Sequence, residues 1–305
     1  MLISIVMPIY KTEAELIKRA VLSIQNQDYH EWELVMVDDS PKDSDWKKTT
    51  QDVFSSLNDE RIHLKVHENN LGANKARNTG VNNSRGEYVA FIDADDEWDL
   101  DYLSCVSKII QDKHPDIIAS GYRVITTTST FDVINKKIPD GNLYDQLIYR
   151  DVVGPTSAVV VKRSSLIGIG GFDEKLPARQ DYDTWLRINK AGGTVAYIRE
   201  SKLSVYRTDR VSISTSSLNH INGTEMVLAK LLSDPTLKEK YPKIKVSHYI
   251  ESTYFSMCLK RFDLARSYIK KAIKIRVSLM TIAFYIMAMM PWTFKIARKL
   301  YISYR

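Results

Sequence analysis

The sequence predicts an α/β protein: a mainly parallel central sheet flanked by helices, followed by a helical C-terminal extension. Three observations carry that expectation. Short apolar runs alternate with helical stripes through the first half of the chain, as in strand–helix–strand units. Acidic clusters fall directly after two of those runs, at the strand ends where such sheets bind ligands. From Leu218 onward the strand pattern stops and helical periodicity takes over.

The elements follow in order. Ile3–Met7, apolar but for Ser4, is of the kind found in buried strands, and the stretch from Ala14 to Ile24 carries apolar residues at 16, 17, 20, 21 and 24, one face of a helix. Glu33–Val37 reads as a second strand and stops at Asp38-Asp39; Arg61–Val66 reads as a third. A helix over Ala73–Val81 leads to the strand Glu87–Ile92, which ends at Asp93-Ala94-Asp95-Asp96. Leu100–Ile110 is again helical and Asp116–Ser120 extended. Further on, Ser157–Val161 is strand-like and Gly168–Phe172 a turn-rich joint. A helix over Tyr182–Ala191 stops at Gly192-Gly193, and short strands are expected at Thr194–Ile198 and Leu203–Tyr206. Pro235 and Pro242 break the helical region that follows. The Ser- and Thr-rich stretch 208–219 is the softest point. It suggests a first domain over 1–212, in halves of about 1–120 and 121–212, and a helical region over 213–305.

Composition narrows the function. Of 305 residues, 44% are hydrophobic and 26% charged, which suits a folded chain and argues against general disorder. Two cysteines cannot make a disulfide framework, and neither has the neighbours of a zinc site, so a reducing cytosol is expected. Met1–Pro8 is too short and lacks the basic leader of a signal peptide. Eleven of the 43 Lys and Arg, but only one of the 37 Asp and Glu, lie in residues 260–305. The basic character therefore belongs to the tail, the rest being slightly acidic. This points to an anionic membrane surface rather than to nucleic acid.

The first strand is followed by Pro8-Ile-Tyr-Lys-Thr-Glu, without the Gly-x-Gly-x-x-Gly of dinucleotide-binding folds, and no Gly-x-x-x-x-Gly-Lys-Ser/Thr phosphate loop occurs. Asp93, Asp95 and Asp96 place three carboxylates within four residues. They repel one another unless solvated or joined by a cation, and oxygen-only ligands suit Mg²⁺ or Mn²⁺ shared with substrate phosphates. Asp38-Asp39 precedes Ser40-Pro41, so it fits a turn as well as a carboxylate gripping a nucleoside.

Taken together, Pro8-Ile-Tyr10, Ser23-Ile-x-x-Gln27, Val37-Asp38-Asp39-Ser40, Asn70-x-Gly72, Ala76-Arg77-Asn78-x-Gly80, Gly86-Glu87-Tyr88, Phe91-Ile-Asp93-Ala94-Asp95-Asp96, Gly170-Gly171-Phe172-Asp173 and Asp181-x-Asp183-x-Trp185-Leu186-Arg187 resemble the family-two inverting glycosyltransferases of the GT-A fold. The resemblance runs from about residue 3 to 210. It implies that Pro8, Tyr10 and Asp39 line a uracil and ribose pocket with Asp38 nearby, and that Arg77 faces the nucleotide. It also implies that Asp93 and Ala94 adjoin the sugar nucleotide, that Asp93 and Asp95 bind the metal with Asp95 as principal ligand, and that Asp181 is the general base. Gln180 stands where the family commonly has Glu. Read alone, Asp181 is as well explained as a helix N-cap. Arg207 and Arg210 are either surface charges or a clamp on diphosphate oxygens.

The resemblance further implies transfer of a single hexose, glucose or galactose, from a UDP-sugar to an undecaprenyl-diphosphate-linked sugar in bacterial O-antigen or surface polysaccharide synthesis, with Mn²⁺ or Mg²⁺ as cofactor. A soluble or lipooligosaccharide acceptor, or a catalytically silent sugar-nucleotide-binding protein, are the alternatives. The uncharged run Val277–Phe294 has basic flanks, with Trp292 and Phe294 at one end. As a helix its 18 residues reach about 27 Å, short of a ~30 Å hydrocarbon core. It is expected to lie in the interface, holding the protein peripherally on the cytoplasmic face of the membrane; a core helix or a span are the other readings.

Overall fold

The computed structural model describes residues 1–207 and 218–290. Strands β1 (Ile3–Ile9), β2 (Trp32–Asp38), β3 (Ile62–Val66) and β4 (Tyr88–Phe91) pair in parallel in the order β3-β2-β1-β4. Beyond β4 the sheet becomes mixed. Strand β8 (Val159–Lys162) runs antiparallel to β4 and to β6 (Ile117–Thr126), and β9 (Val195–Arg207) returns parallel to β6. The short strands β5 (Glu97–Trp98) and β7 (Thr130–Val133) add antiparallel edges to β9 and β6. An uninterrupted parallel run therefore belongs to the first four strands, with the acidic motifs at the carboxyl ends of β2 and β4.

Helices α1 (Ala14–Gln25), α2 (Asp45–Ser56), α3 (Ala73–Asn82) and α4 (Tyr102–Lys113) connect these strands. The largely apolar runs follow from burial on both sheet faces. Ile3, Ile5, Met7, Leu34 and Met36 join a core with Ile17, Ala20, Val21 and Ile24 of α1, while Val35 and Val37 pack on Ala76 of α3. Helix α3 lies so near β1 that a Cβ on Gly80 would sit 2.3 Å from a Val6 methyl.

Helix α2 has no counterpart in the sequence-based elements, because its buried stripe is only Thr50 and Val53; Ser44 caps it by accepting from Lys47 N at 3.4 Å. The two strands expected at 194–198 and 203–206 are one strand, β9. Their polar divide, Arg199–Lys202, is a register irregularity against β6, where Gly121 leaves room for the Glu200 carbonyl; a Cβ there would lie 2.7 Å from that oxygen.

The chain divides into two compact units. The first comprises 1–143, 153–174 and 184–209, and the second 144–152, 175–183 and 210–305. The whole sheet lies in the first. Helix α5 (Tyr144–Leu147) belongs to the second, α6 (Arg163–Gly168) to the first, and α7 (Gln180–Lys190) gives its first four residues to the second.

The described part of the second unit also contains the helices Leu218–Leu232, Tyr241–Cys258, Phe262–Ile275 and Leu279–Met289. Pro235 opens a 3-10 turn capped by Asp234, and Pro242 sits in the first turn of the next helix, the two breaks expected. Ile250, Met257, Ala265, Ile269, Phe284 and Met287 form a core. The helix Leu279–Met289 starts with a capping box between Ser278 and Thr281. It buries Thr281, Phe284, Met287 and Ala288, yet leaves Leu279 90% exposed, with Ile282, Ile286 and Met289 exposed beside it. Among the described residues no helix is long and apolar enough to cross a membrane. Trp292, Phe294 and the basic residues 295–305 lie outside the described part.

Candidate active site

Because β3, β2, β1 and β4 are parallel neighbours, their carboxyl ends share one edge of the sheet. That edge gathers His67, Asp38-Asp39, Pro8–Tyr10 and Asp93–Asp95 from four separate parts of the sequence. Tyr10 is 45% exposed just past β1, Pro8 is half-buried, and Asp95 is exposed. Asp38 and Asp39 are buried, and their hydrogen bonds show how they shape the edge. Asp38 Oδ1 accepts from Ser40 N at 2.9 Å, closing the turn after β2. Asp39 Oδ1 accepts from Leu71 N and Oδ2 from Gly72 N, each at 2.8 Å. The carboxylate thus holds the Asn70-x-Gly72 loop, whose glycine takes the left-handed φ of +92° leading into α3.

His67, an ordinary residue by sequence, completes this arrangement. Its Nδ1 lies 2.7 Å from Asp39 Oδ1 and its Nε2 lies 2.9 Å from Thr79 Oγ1. A neutral imidazole satisfies both contacts, donating to Asp39 from Nδ1 and accepting the Thr79 hydroxyl at Nε2.

Helix α3 supplies the next layer. Arg77 is 5% exposed, and its Nη2 donates to Asp93 Oδ1 at 2.9 Å. Its Nε and Nη1 have no hydrogen-bond partner among the described residues. Buried donors are ordinarily satisfied, so a buried guanidinium with two unpartnered nitrogens next to a ligand-binding edge suits a nearby anion. Asn78, one residue on, exchanges hydrogen bonds with the Phe172 backbone at 2.9 Å each way. Gly171 is required there: its φ is +75°, and a Cβ would meet Asn78 Oδ1 at 2.6 Å. The Ala-Arg-Asn-x-Gly and Gly-Gly-Phe-Asp motifs are one clamp.

The 93–97 turn is held from several sides. Asp93 N donates to Ser157 Oγ at 3.1 Å. Arg19 of α1 donates from Nη2 to the Asp95 carbonyl at 2.7 Å, lies with Nε 2.7 Å from Glu97 Oε1, and stacks 3.8 Å over the Tyr206 ring. Asp96 is 4% exposed. Burial, and after it the negative charges of Asp93 and Asp95, push its carboxyl well above the ordinary range. Arg19, Ser157 and His67 carried no sequence signal; their contacts with Asp95, Asp93 and Asp39 span 76, 64 and 28 residues.

No group of three or more His, Cys, Asp or Glu side chains is arranged to hold a metal among the described residues. The donor set nonetheless fits Mg²⁺ or Mn²⁺ of a particular kind. Asp95 is exposed and Asp93 shares its carboxylate with Arg77, so the protein offers two oxygen ligands and leaves the rest to phosphates and water. A cation there would also offset the charge crowding around Asp96.

Asp181 belongs to the second unit. It is half-buried in the first turn of α7, where its Oδ1 accepts from Tyr182 N at 2.8 Å. The helix already starts at Gln180, so Asp181 stands inside the first turn and is not the N-cap. The Arg207 side chain and Arg210 lie outside the described residues.

The sequence model described as "Glycosyl transferase family 2" matches residues 4–168. TuaG of Bacillus subtilis (strain 168), a glycosyltransferase named for teichuronic acid biosynthesis, is 28% identical over 258 residues, covering 83% of this chain and 92% of that protein. WfgD of Escherichia coli, named a UDP-Glc:α-D-GlcNAc-diphosphoundecaprenol β-1,3-glucosyltransferase, is 28% identical over 241 residues, covering 79% of this chain and 90% of its own. Among solved structures, the mannosyltransferase PcManGT of Pyrobaculum calidifontis, in complex with GDP-Man and Mn²⁺, superposes with a TM-score of 0.65 at 19% identity. It covers 98% of this chain and 82% of that one, a likeness of fold.

Proposed function

The chain belongs to glycosyl transferase family 2 and has its GT-A fold, and from that footing we propose that it transfers a single hexose from a UDP-sugar, with inversion, to a hydroxyl of a lipid-diphosphate-linked sugar. The observation that carries the donor side is Arg77: a buried guanidinium on α3, bonded to Asp93 at the edge where Asp95 is exposed, with its Nε and Nη1 unpartnered among the described residues. A nucleoside diphosphate is the anion that suits it. Tyr10 and Pro8 then form the outer wall of the nucleoside pocket, and Asp38 and Asp39 set its floor through the loops they hold. Of glucose and galactose, glucose is supported, together with undecaprenyl diphosphate as the acceptor's lipid, by the likeness to WfgD.

The reaction breaks the bond between the anomeric carbon and the diphosphate oxygen and forms one from that carbon to the acceptor oxygen. Asp181 takes the hydroxyl proton as attack proceeds from the opposite face, so one base suffices and the anomeric configuration inverts. When bound by Asp95 and Asp93, a divalent cation supplies positive charge to the departing diphosphate. Arg77 holds the Asp93 carboxylate in place on the donor side, and Asn78 holds the 170–173 loop against α3. UDP-glucose, UDP-galactose, UDP-N-acetylglucosamine and GDP-mannose should be offered with a synthetic GlcNAc-diphosphate lipid. Hexosyl transfer from UDP-glucose or UDP-galactose, with inversion shown by NMR of the product, is the expected result. Retention, or no turnover of any UDP-sugar, would overturn the proposal.

We also assign the exposed side of the helix Leu279–Met289 to a membrane surface. Leu279, Ile282, Ile286 and Met289 face outward, preceded in sequence by Lys270, Lys271, Lys274 and Arg276, so apolar burial and attraction to anionic headgroups act together. The opposite side of the same helix is core, so the test is substitution rather than truncation. Replacing Leu279, Ile282 and Ile286 together by Ser should cut co-sedimentation with phosphatidylglycerol vesicles and leave the protein folded. Phe284→Ala, in the core, should instead cost about 3–5 kcal/mol of stability. Undiminished vesicle binding by the triple variant would remove the membrane assignment.

A further inference from the structure

We propose that Glu251 and Lys230, on helices beyond the family-matched segment, are positioning residues for Asp181, and that with Arg179 and Asp183 they form the mount that aims its carboxylate. The proposal rests on the reading of Asp181 as the base and adds to it the groups that hold it.

Five observations within the second unit converge on this helix start. Arg179, two residues before Asp181, has φ +65°, a left-handed conformation that non-glycine residues rarely adopt and that persists only where the surroundings impose it. Its side chain is 5% exposed and pairs at 3.2 Å with Glu251, which is 7% exposed, while its guanidinium lies 4.4 Å over the Tyr182 ring. Two residues after Asp181, the Asp183 carboxylate is 2% exposed and accepts from Lys230 Nζ at 2.7 Å. The helix Leu218–Leu232 meets the chain at Gly223, where a Cβ would sit 2.4 Å from the Ala178 carbonyl oxygen. Between the two ion pairs, the Tyr182 hydroxyl donates to the Leu147 carbonyl and lies 3.5 Å from His248 Nε2.

The residues on both sides of Asp181 are therefore fastened, and its own carboxylate is left half-exposed with a bond from Tyr182 N. A buried ion pair is a poor source of stability, because desolvation cancels most of its attraction. An αL arginine is a poor one too. What both provide is a single backbone geometry. A general base needs that, since it must stand within about 2.6–3.2 Å of the proton it removes, and a displacement of about 1 Å can cost on the order of 10²-fold in rate.

Two paired replacements test this: Arg179→Met with Glu251→Gln, and Asp183→Asn with Lys230→Met. Each removes both charges of its ion pair at once, so neither member of the pair is left buried opposite a neutral replacement. The assay uses the donor and acceptor on which the wild type turns over, starting from UDP-glucose and the GlcNAc-diphosphate lipid. Either paired variant should lower kcat by about 10- to 100-fold, with the donor KM within about twofold of wild type. In an Asp181→Asn background the same replacements should cost nothing further, because they act through that carboxylate. Wild-type kcat in a folded paired variant would overturn the proposal, as would an undiminished loss in the Asp181→Asn background. A purely structural role would lower the melting temperature but leave kcat per folded molecule intact. The failures are distinguishable. Normal turnover by Asp181→Asn alone sinks the base itself. A slow Asp181→Asn beside paired variants at full rate sinks only the mount.

Discussion

Asp181→Asn should bind donor as the wild type does and turn over roughly 10²–10⁴ times more slowly, the usual worth of a positioned general base. Asparagine keeps the shape and keeps an oxygen to accept the Tyr182 N–H, so the first turn of α7 is preserved. What is lost is the capacity to take the acceptor's proton. Single-turnover transfer gives the rate, and calorimetric titration with UDP gives donor affinity. Turnover near the wild-type rate would leave Asp181 as a first-turn acid with a purely local role, and the base would then be sought at Asp173 or Asp183.

Asp95→Ala should abolish transfer while leaving the fold intact. The side chain is exposed, and Arg19 grips the loop through the Asp95 main-chain oxygen, a contact that alanine retains. The substitution therefore isolates the carboxylate. EDTA should mimic it in the wild type, with Mn²⁺ or Mg²⁺ restoring the wild type but not the variant. Full activity of Asp95→Ala in metal-free buffer would end the metal assignment. The two variants should also differ in kind: Asp95→Ala weakens the hold on the leaving diphosphate, while Asp181→Asn leaves donor binding untouched.

Much of this protein was legible along the chain. The runs Ile3–Met7, Glu33–Val37 and Glu87–Ile92 are apolar except at Ser4, Glu33 and Glu87 because both sheet faces are covered, and that local pattern marks buried strands without any structure. The acids that end two of those runs, Asp38-Asp39 and Asp93–Asp96, mark the ligand-binding edge because strand polarity puts all parallel carboxyl ends together. Family membership was legible for the same reason: each motif is a short local segment. The tertiary structure alone decided what depends on distant partners. Helix α2 presents too thin an apolar stripe to be read, and β9 hides a register irregularity behind charged residues. Asp39 turned out to hold the 70–72 loop, with His67 bonded to it across 28 residues, and Arg19 to grip the Asp95 loop across 76. Glu251 meets Arg179 across 72 residues and Lys230 meets Asp183 across 47. Sequence spacing carries the period of a strand or a helix, but a hydrogen bond between segments exists only once folding has brought them within 3 Å, and no local pattern records it.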